Sequence, residues 1–246
     1  MQNKVPEITA AFWTIKILST TVGETGADYL AVHVGLGTTI TIAITLSLLV
    51  ASLIAQLRKR AYVPWIYWLT VVLVSIVGTQ LTDVLTDALG VSLYSSTAVF
   101  TVLLCSVFGI WYWREKTLSI HTIVTHRREL FYWTAILVTF ALGTAAGDLA
   151  TEAIGLGFRL GVVVFGLSLL LMGFATYLGA QPVLVFWLAY ILTRPFGASL
   201  GDLLSQARDY GGLGMGTVTT SALFLVVIVA LVGIHASARA RRGPAV

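Results

Sequence analysis

WTAILVTFALGTAAGD, Trp133 to Asp148, is apolar enough for a bilayer interior and yet ends on a carboxylate. Three other stretches repeat its frame. Aligned on tryptophan, they read WTIKILSTTVGETGAD from Trp13, WLTVVLVSIVGTQLTD from Trp68 and WLAYILTRPFGASLGD from Trp187. In every copy a glycine stands ten residues after the tryptophan (Gly23, Gly78, Gly143, Gly197) and an aspartate fifteen after it (Asp28, Asp83, Asp148, Asp202). The copies begin 55, 65 and 54 residues apart. Self-similarity at a long period marks an array of supersecondary units, so the repeat decides the fold before any single helix is placed.

Composition decides the solvent. Of 246 residues, 57% are hydrophobic and 11% charged, with a mean hydropathy of +0.91; a soluble domain carries about 25% charged residues. Apolar runs near 6–30, 38–57, 64–89, 92–113, 130–153, 160–179, 182–206 and 215–236 approach the roughly 20 residues that cross a bilayer. The expected fold is an all-α membrane protein: a single membrane domain, 1–246, of eight transmembrane helices, arranged as four parallel two-helix repeats at about 6–60, 61–116, 126–179 and 180–238. Two crossings per repeat make the four motif spans co-directional and put the four aspartates at one depth. Such an array can close into a ring about the membrane normal.

Lys4, Arg58, Lys59, Arg60, Arg114, Lys116, Arg127, Arg128, Arg239, Arg241 and Arg242 fall on one side of this arrangement, against Arg159 and Arg208 on the other. Both termini are therefore expected in the cytoplasm. The net charge of +4 reports topology and does not point to nucleic acid; the expected partners are the lipid bilayer and a small cation. The N-terminus lacks the order of a cleavable signal, so the first span is expected to stay. THRRELFYW reads as a membrane-surface anchor.

The Trp-to-Asp frame, with two spans per copy and four copies, resembles a family of bacterial inner-membrane proteins built of tandem repeats of unknown function. Each repeat of that family has two transmembrane segments and a characteristic tryptophan. The resemblance implies the architecture and a multi-pass inner-membrane location, and it carries no activity.

On a helix at about 100° per residue, positions 3, 7, 10, 11 and 14 after the tryptophan share one face. That face holds Lys16, Thr20, Gly23, Glu24 and Ala27 in the first copy and Val71, Ser75, Gly78, Thr79 and Thr82 in the second. The third has Ile136, Phe140, Gly143, Thr144 and Gly147, and the fourth Tyr190, Arg194, Gly197, Ala198 and Gly201. Gly23, Gly78, Gly143 and Gly197 are expected to let helices pack closely. That does not account for the acids, since an aspartate at the centre of a span costs about 2.5–3.5 kcal/mol to insert and marks an ion or proton path. Of eleven acidic residues, Glu24, Asp28, Asp83, Asp87, Asp148, Glu152, Asp202 and Asp209 lie in or just after the motifs.

Arg194 stands twelve residues into a span starting at Pro182, about 18 Å deep, and requires an anionic partner, Glu24 or a motif aspartate. Lys16 is expected to snorkel along its stem. Pro195 is expected to kink or unwind its helix, and the LG and GLG segments after the motifs to let the chain dip into the protein.

Cys105 is alone, and His33, His121, His126 and His235 show no metal spacing. There is no phosphate loop or HExxH pair. Carboxylates, threonine hydroxyls and glycine carbonyls suit a hard cation. The expectation is a secondary transporter, not an enzyme and without a resident cofactor, that exports a divalent metal such as manganese in exchange for protons. Asp28, Asp83, Asp148 and Asp202 would bind the metal, Glu24, Thr79 and Thr144 would add oxygens, and Arg194, Lys16, Asp87 and Glu152 would couple or gate. A cation channel, an enzyme acting on a lipid-linked substrate and a structural membrane protein are the alternatives.

Overall fold

The computed structural model describes residues 3–32 and 38–242, the side chains at 28, 31–32, 38 and 239–242 lying outside the described set. The described residues contain eight long helices and no strand: α1 (Ala10–Val32), α2 (Thr38–Leu57), α3 (Pro64–Asp83), α4 (Leu93–Glu115), α5 (His126–Asp148), α6 (Gly157–Tyr177), α7 (Pro182–Ser205) and α8 (Thr217–Arg242). Local chemistry explains their ends. Pro64 and Pro182 stand in the first turn, where a missing N–H is harmless. Ser92, Thr125 and Gln181 accept the backbone N–H three residues on, at 3.2, 3.3 and 2.5 Å. α3 and α5 pass directly into π-helical turns, Val84–Ala88 and Leu149–Ala153. The turns that follow use Gly90 and Gly155 at positive φ.

Seven of these helices are long and apolar enough to cross a membrane, and the protein is a multi-pass membrane protein. The exception, α1, carries Lys16, Thr20, Glu24 and Thr25, which are buried inside the protein and not against lipid.

The motif helices form a closed ring in which α1 packs on α3, α3 on α5, α5 on α7 and α7 on α1. Outside it, α2 packs on α3, α4 on α5, α6 on α7 and α8 on α1. Each repeat therefore lays its second helix on the motif helix of the next repeat, and α8 completes the circle. The outer helices expose residues such as Leu46, Val102, Leu170 and Val226, the surface a hydrocarbon solvent requires.

One contact rule holds four times. The glycine at position 10 faces the residue at position 7 of the next motif helix: Gly23 meets Ser75, Gly78 meets Phe140, Gly143 meets Arg194 and Gly197 meets Thr20. A Cβ on Gly78 would fall 2.6 Å from Phe140 Cβ, and one on Gly143 2.5 Å from Arg194 Cβ. Nearer the start of the helices, the aromatic residue before each tryptophan packs on the tryptophan of the next repeat: Phe12 on Trp68 (5.6 Å between centroids), Tyr67 on Trp133 (5.5 Å), Tyr132 on Trp187 (6.3 Å) and Phe186 on Trp13 (5.6 Å). Equal registers at two heights require the four helices to run parallel. Small residues give close approach, aromatic contacts lock the angle, and no hydrophobic effect is needed inside the bilayer.

Three local expectations change. α7 runs unbroken through Pro195, whose ring packs 3.3 Å from the Cβ positions of Gly143 and Gly147, so neighbouring glycines accommodate it in place of a break. The glycine turns after α3 and α5 lie exposed at the helix ends and do not dip inward. THRRELFYW, expected to lie in a loop, is the N-cap and first turns of α5. Its Glu129 is turned inward, 1% exposed, because an ion pair with the equally buried Lys4 holds it there.

Candidate functional site

With glycine at position 10 setting the approach, positions 3, 7 and 11 of each motif helix stack as successive layers around the common axis. The first layer is Lys16, Val71, Ile136 and Tyr190, the next Thr20, Ser75, Phe140 and Arg194, and the third Glu24, Thr79, Thr144 and Ala198; all twelve are buried. Below them the aromatic ring closes the axis, and the buried Tyr67 and Tyr132 hydroxyls bond each other at 2.5 Å.

Arg194 organises the third layer. Its guanidinium is 0% exposed. Nη2 donates to Glu24 Oε2 at 2.5 Å, to Thr144 Oγ1 at 2.7 Å and to Thr79 Oγ1, and Nη1 donates to the Thr20 carbonyl at 3.3 Å. The side chain rises one layer from position 7 into the place left by the small Ala198, and so meets the position-11 residues of the other three repeats. Thr79 and Thr144 donate to the carbonyls of Ser75 and Phe140 at 3.2 and 3.1 Å, which turns their lone pairs toward the axis. Two hydroxyls and a carboxylate are thus oriented as hard acceptors, and a tethered cation fills the place between them. Of the two partners anticipated for Arg194, Glu24 is the one that forms the ion pair.

Lys16 does not snorkel. It is 1% exposed, and its Nζ stands 4.0 Å from the centre of the Phe140 ring and 4.2 Å from that of Tyr190, with no hydrogen-bond acceptor. Desolvated ring faces contribute about 2 kcal/mol each, against several kcal/mol for taking an ammonium out of water.

Asp83, Asp148 and Asp202 stand at the far end of the axis. Asp83 and Asp148 are the last α-helical residues before the π turns, and Asp87 and Glu152 sit at equivalent places within those turns. Asp83, Asp148 and Asp202 are half-buried, whereas Asp87 and Glu152 are exposed. Asp148 is within electrostatic reach of Glu24, Asp83, Glu152 and Arg194, and Glu152 of Asp87 and Glu24. Acids from the first three repeats therefore converge on one end. Asp28 lies in α1 with its side chain outside the described residues, as His33 does entirely. Among the described residues no three His, Cys, Asp or Glu side chains form a group able to hold a metal ion, so a cation at this mouth would draw on hydroxyls and on acids taken one or two at a time.

Two further clusters lay beyond the motif reading. Lys4 Nζ reaches Glu129 and the Leu57 carbonyl (3.0 Å), and Gln56 Nε2 donates to Glu129 Oε1 at 3.1 Å. This brace ties the first repeat to the third at the basic end, and residues 125 positions apart leave no local sequence signal. The aromatic ring did leave one. Each motif tryptophan follows an aromatic residue, FW, YW, YW and FW, one position upstream of the aligned frame.

The family described as Repeat of Unknown Function (DUF347) matches residues 11–62, 66–117, 131–180 and 185–241, four repeats that take up most of the chain. This chain belongs to the DUF347 repeat family. No curated protein and no solved structure matches it. The DUF347 repeat corresponds to the motif helix and the outer helix after it, so each layer of the axis draws one side chain from every repeat, and polar residues in single copies gather around Arg194.

Proposed function

We propose that this DUF347 protein is a secondary carrier that exchanges a hard cation, a divalent metal such as manganese, for protons across the bacterial inner membrane, with both termini in the cytoplasm. One observation carries the reading: on the ring axis a carboxylate and two pre-oriented hydroxyls coordinate a fully buried guanidinium. Such an oxygen set also suits a hard metal ion, and Arg194 acts in it as a tethered competitor. The motif aspartates at the mouth collect the cation, and Glu24, Thr79 and Thr144 receive it when Arg194 withdraws. Buried layers close the other end, which favours alternating access over an open channel.

The test is flux in proteoliposomes across a panel of cations at two proton gradients. Saturable, pH-coupled movement of a divalent metal, lost in Glu24→Gln and in the aspartate-to-asparagine variants with folding preserved, is expected. Absence of coupled movement for every cation in the panel would overturn the reading.

A further inference from the structure

We propose that Lys16 is a proton-binding group of the carrier, and that its charge decides whether the Arg194 guanidinium occupies the cation site. This rests on the carrier reading and names the group that couples the proton.

The ammonium of Lys16 has three N–H donors and no acceptor among the described residues. Two aromatic faces hold it, a weaker hold on an ammonium than a buried carboxylate would give. The charge that reaches it from outside its own helix is that of Arg194, which is repulsive. Among the described residues, the helices around it add no compensating acid at its level. α7 presents Tyr190 and Arg194, α5 presents Ile136 and Phe140, and α3 presents Val71 and Ser75. α2 has no titratable residue, and His235 of α8 is exposed and bonded to the Leu231 carbonyl. Glu24, eight residues further along α1, is engaged by Arg194.

Lys16 and Arg194 are thus like charges in adjacent layers of one dry axis. With Lys16 protonated, repulsion drives the guanidinium toward Glu24, Thr79 and Thr144, the arrangement in the structure. Loss of the proton to solvent leaves a neutral amine and removes that repulsion. Arg194 can then draw back toward the Phe140 and Tyr190 rings and free the three oxygens for a metal ion. Its Nε has no partner among the described residues, so the bonds the shift breaks are those of the Nη atoms, and the metal ion takes over their oxygens. Proton on Lys16 and metal on Glu24 are then mutually exclusive, the condition an antiporter requires.

The full chain in proteoliposomes, with Mn²⁺ as the probe, tests this. In the wild type, Mn²⁺/Mn²⁺ exchange falls by about tenfold per pH unit on the acid side, the slope of one competing proton. Lys16→Met removes the charge, so exchange persists and loses that slope; Lys16→Gln gives the same comparison if the methionine variant does not fold. Lys16→Arg keeps a permanent charge and abolishes exchange at every pH while the protein stays folded. A methionine or glutamine variant with the wild-type slope, or an active arginine variant, overturns the proposal. A wild type that moves no cation defeats the carrier reading by itself. The Nζ resonance of ¹⁵N-labelled Lys16, assigned by its loss in Lys16→Met, then decides the inference: titration well below that of lysine in water supports it, and an ammonium that persists to about pH 10, as for lysine in water, overturns it.

Discussion

Glu24 and Arg194 form an unequal pair, and a double-mutant cycle will show the inequality. Arg194 is 0% exposed, whereas Glu24, at 7%, stands on the side of the mouth. Glu24→Gln leaves a guanidinium among neutral groups in a dry layer, an uncompensated buried charge that costs about 3–5 kcal/mol. Arg194→Met leaves a carboxylate that can reach water or take up a proton. The threonines keep their bonds to Ser75 and Phe140, so no donor is stranded, and the expected cost is about 1–3 kcal/mol. The double variant should lie within about 1–2 kcal/mol of the wild type, because an ion pair replaced by apolar and neutral groups is often close to neutral. Thermal unfolding in detergent, followed by the fluorescence of the seven tryptophans, reads the cycle. At about 2–4 °C per kcal/mol for a chain of this size, Glu24→Gln should lower the midpoint by roughly 10 °C, and the second substitution should restore most of it. Additive losses, or a larger loss for Arg194→Met than for Glu24→Gln, would refute the view that the arginine is the buried member and the acid its compensator.

Three other outcomes follow from the packing, each read by the same melting assay. Gly143→Ala should destabilise by about 1–3 kcal/mol through overpacking, since its Cβ would fall 2.5 Å from Arg194 Cβ, whereas Gly109→Ala, with nothing within 4 Å, should be neutral or stabilising by up to about 1 kcal/mol. Lys4→Met strands Glu129 in the interior and should cost about 3–5 kcal/mol, while Arg127→Ala, in the exposed pair with Glu115, should cost no more than about 1 kcal/mol. Tyr67→Phe should cost about 1–3 kcal/mol by orphaning the Tyr132 hydroxyl, and the further change Tyr132→Phe should recover it.

Much of the site was visible before any helix was placed. Period and position put Glu24, Thr79 and Thr144 at one level and Arg194 one layer away, because a helix turns by a constant angle and the repeat fixes its phase. The close-packing role of the four glycines followed from the same alignment. Which acid pairs with Arg194 did not follow, because Glu24 at position 11 and the aspartates at position 15 were both open, and choosing between them needs the reach of the guanidinium into the gap above Ala198. The stem of Lys16 is long enough to snorkel along its helix. The structure turns it inward, where the Phe140 and Tyr190 rings receive it.

The chain's own order of residues determined eight helices, four repeats and the common direction of the motif helices, since hydropathy, helical period and an even number of crossings are properties of a one-dimensional string. Ring closure, the pairing of position 10 with position 7 across every interface, and the Lys4–Glu129 brace were decided only by the tertiary structure. Each depends on which surfaces meet after the repeats are rotated about the axis, and in a bilayer, where apolar faces are interchangeable, that choice rests on the fit of small residues, rings and buried charges.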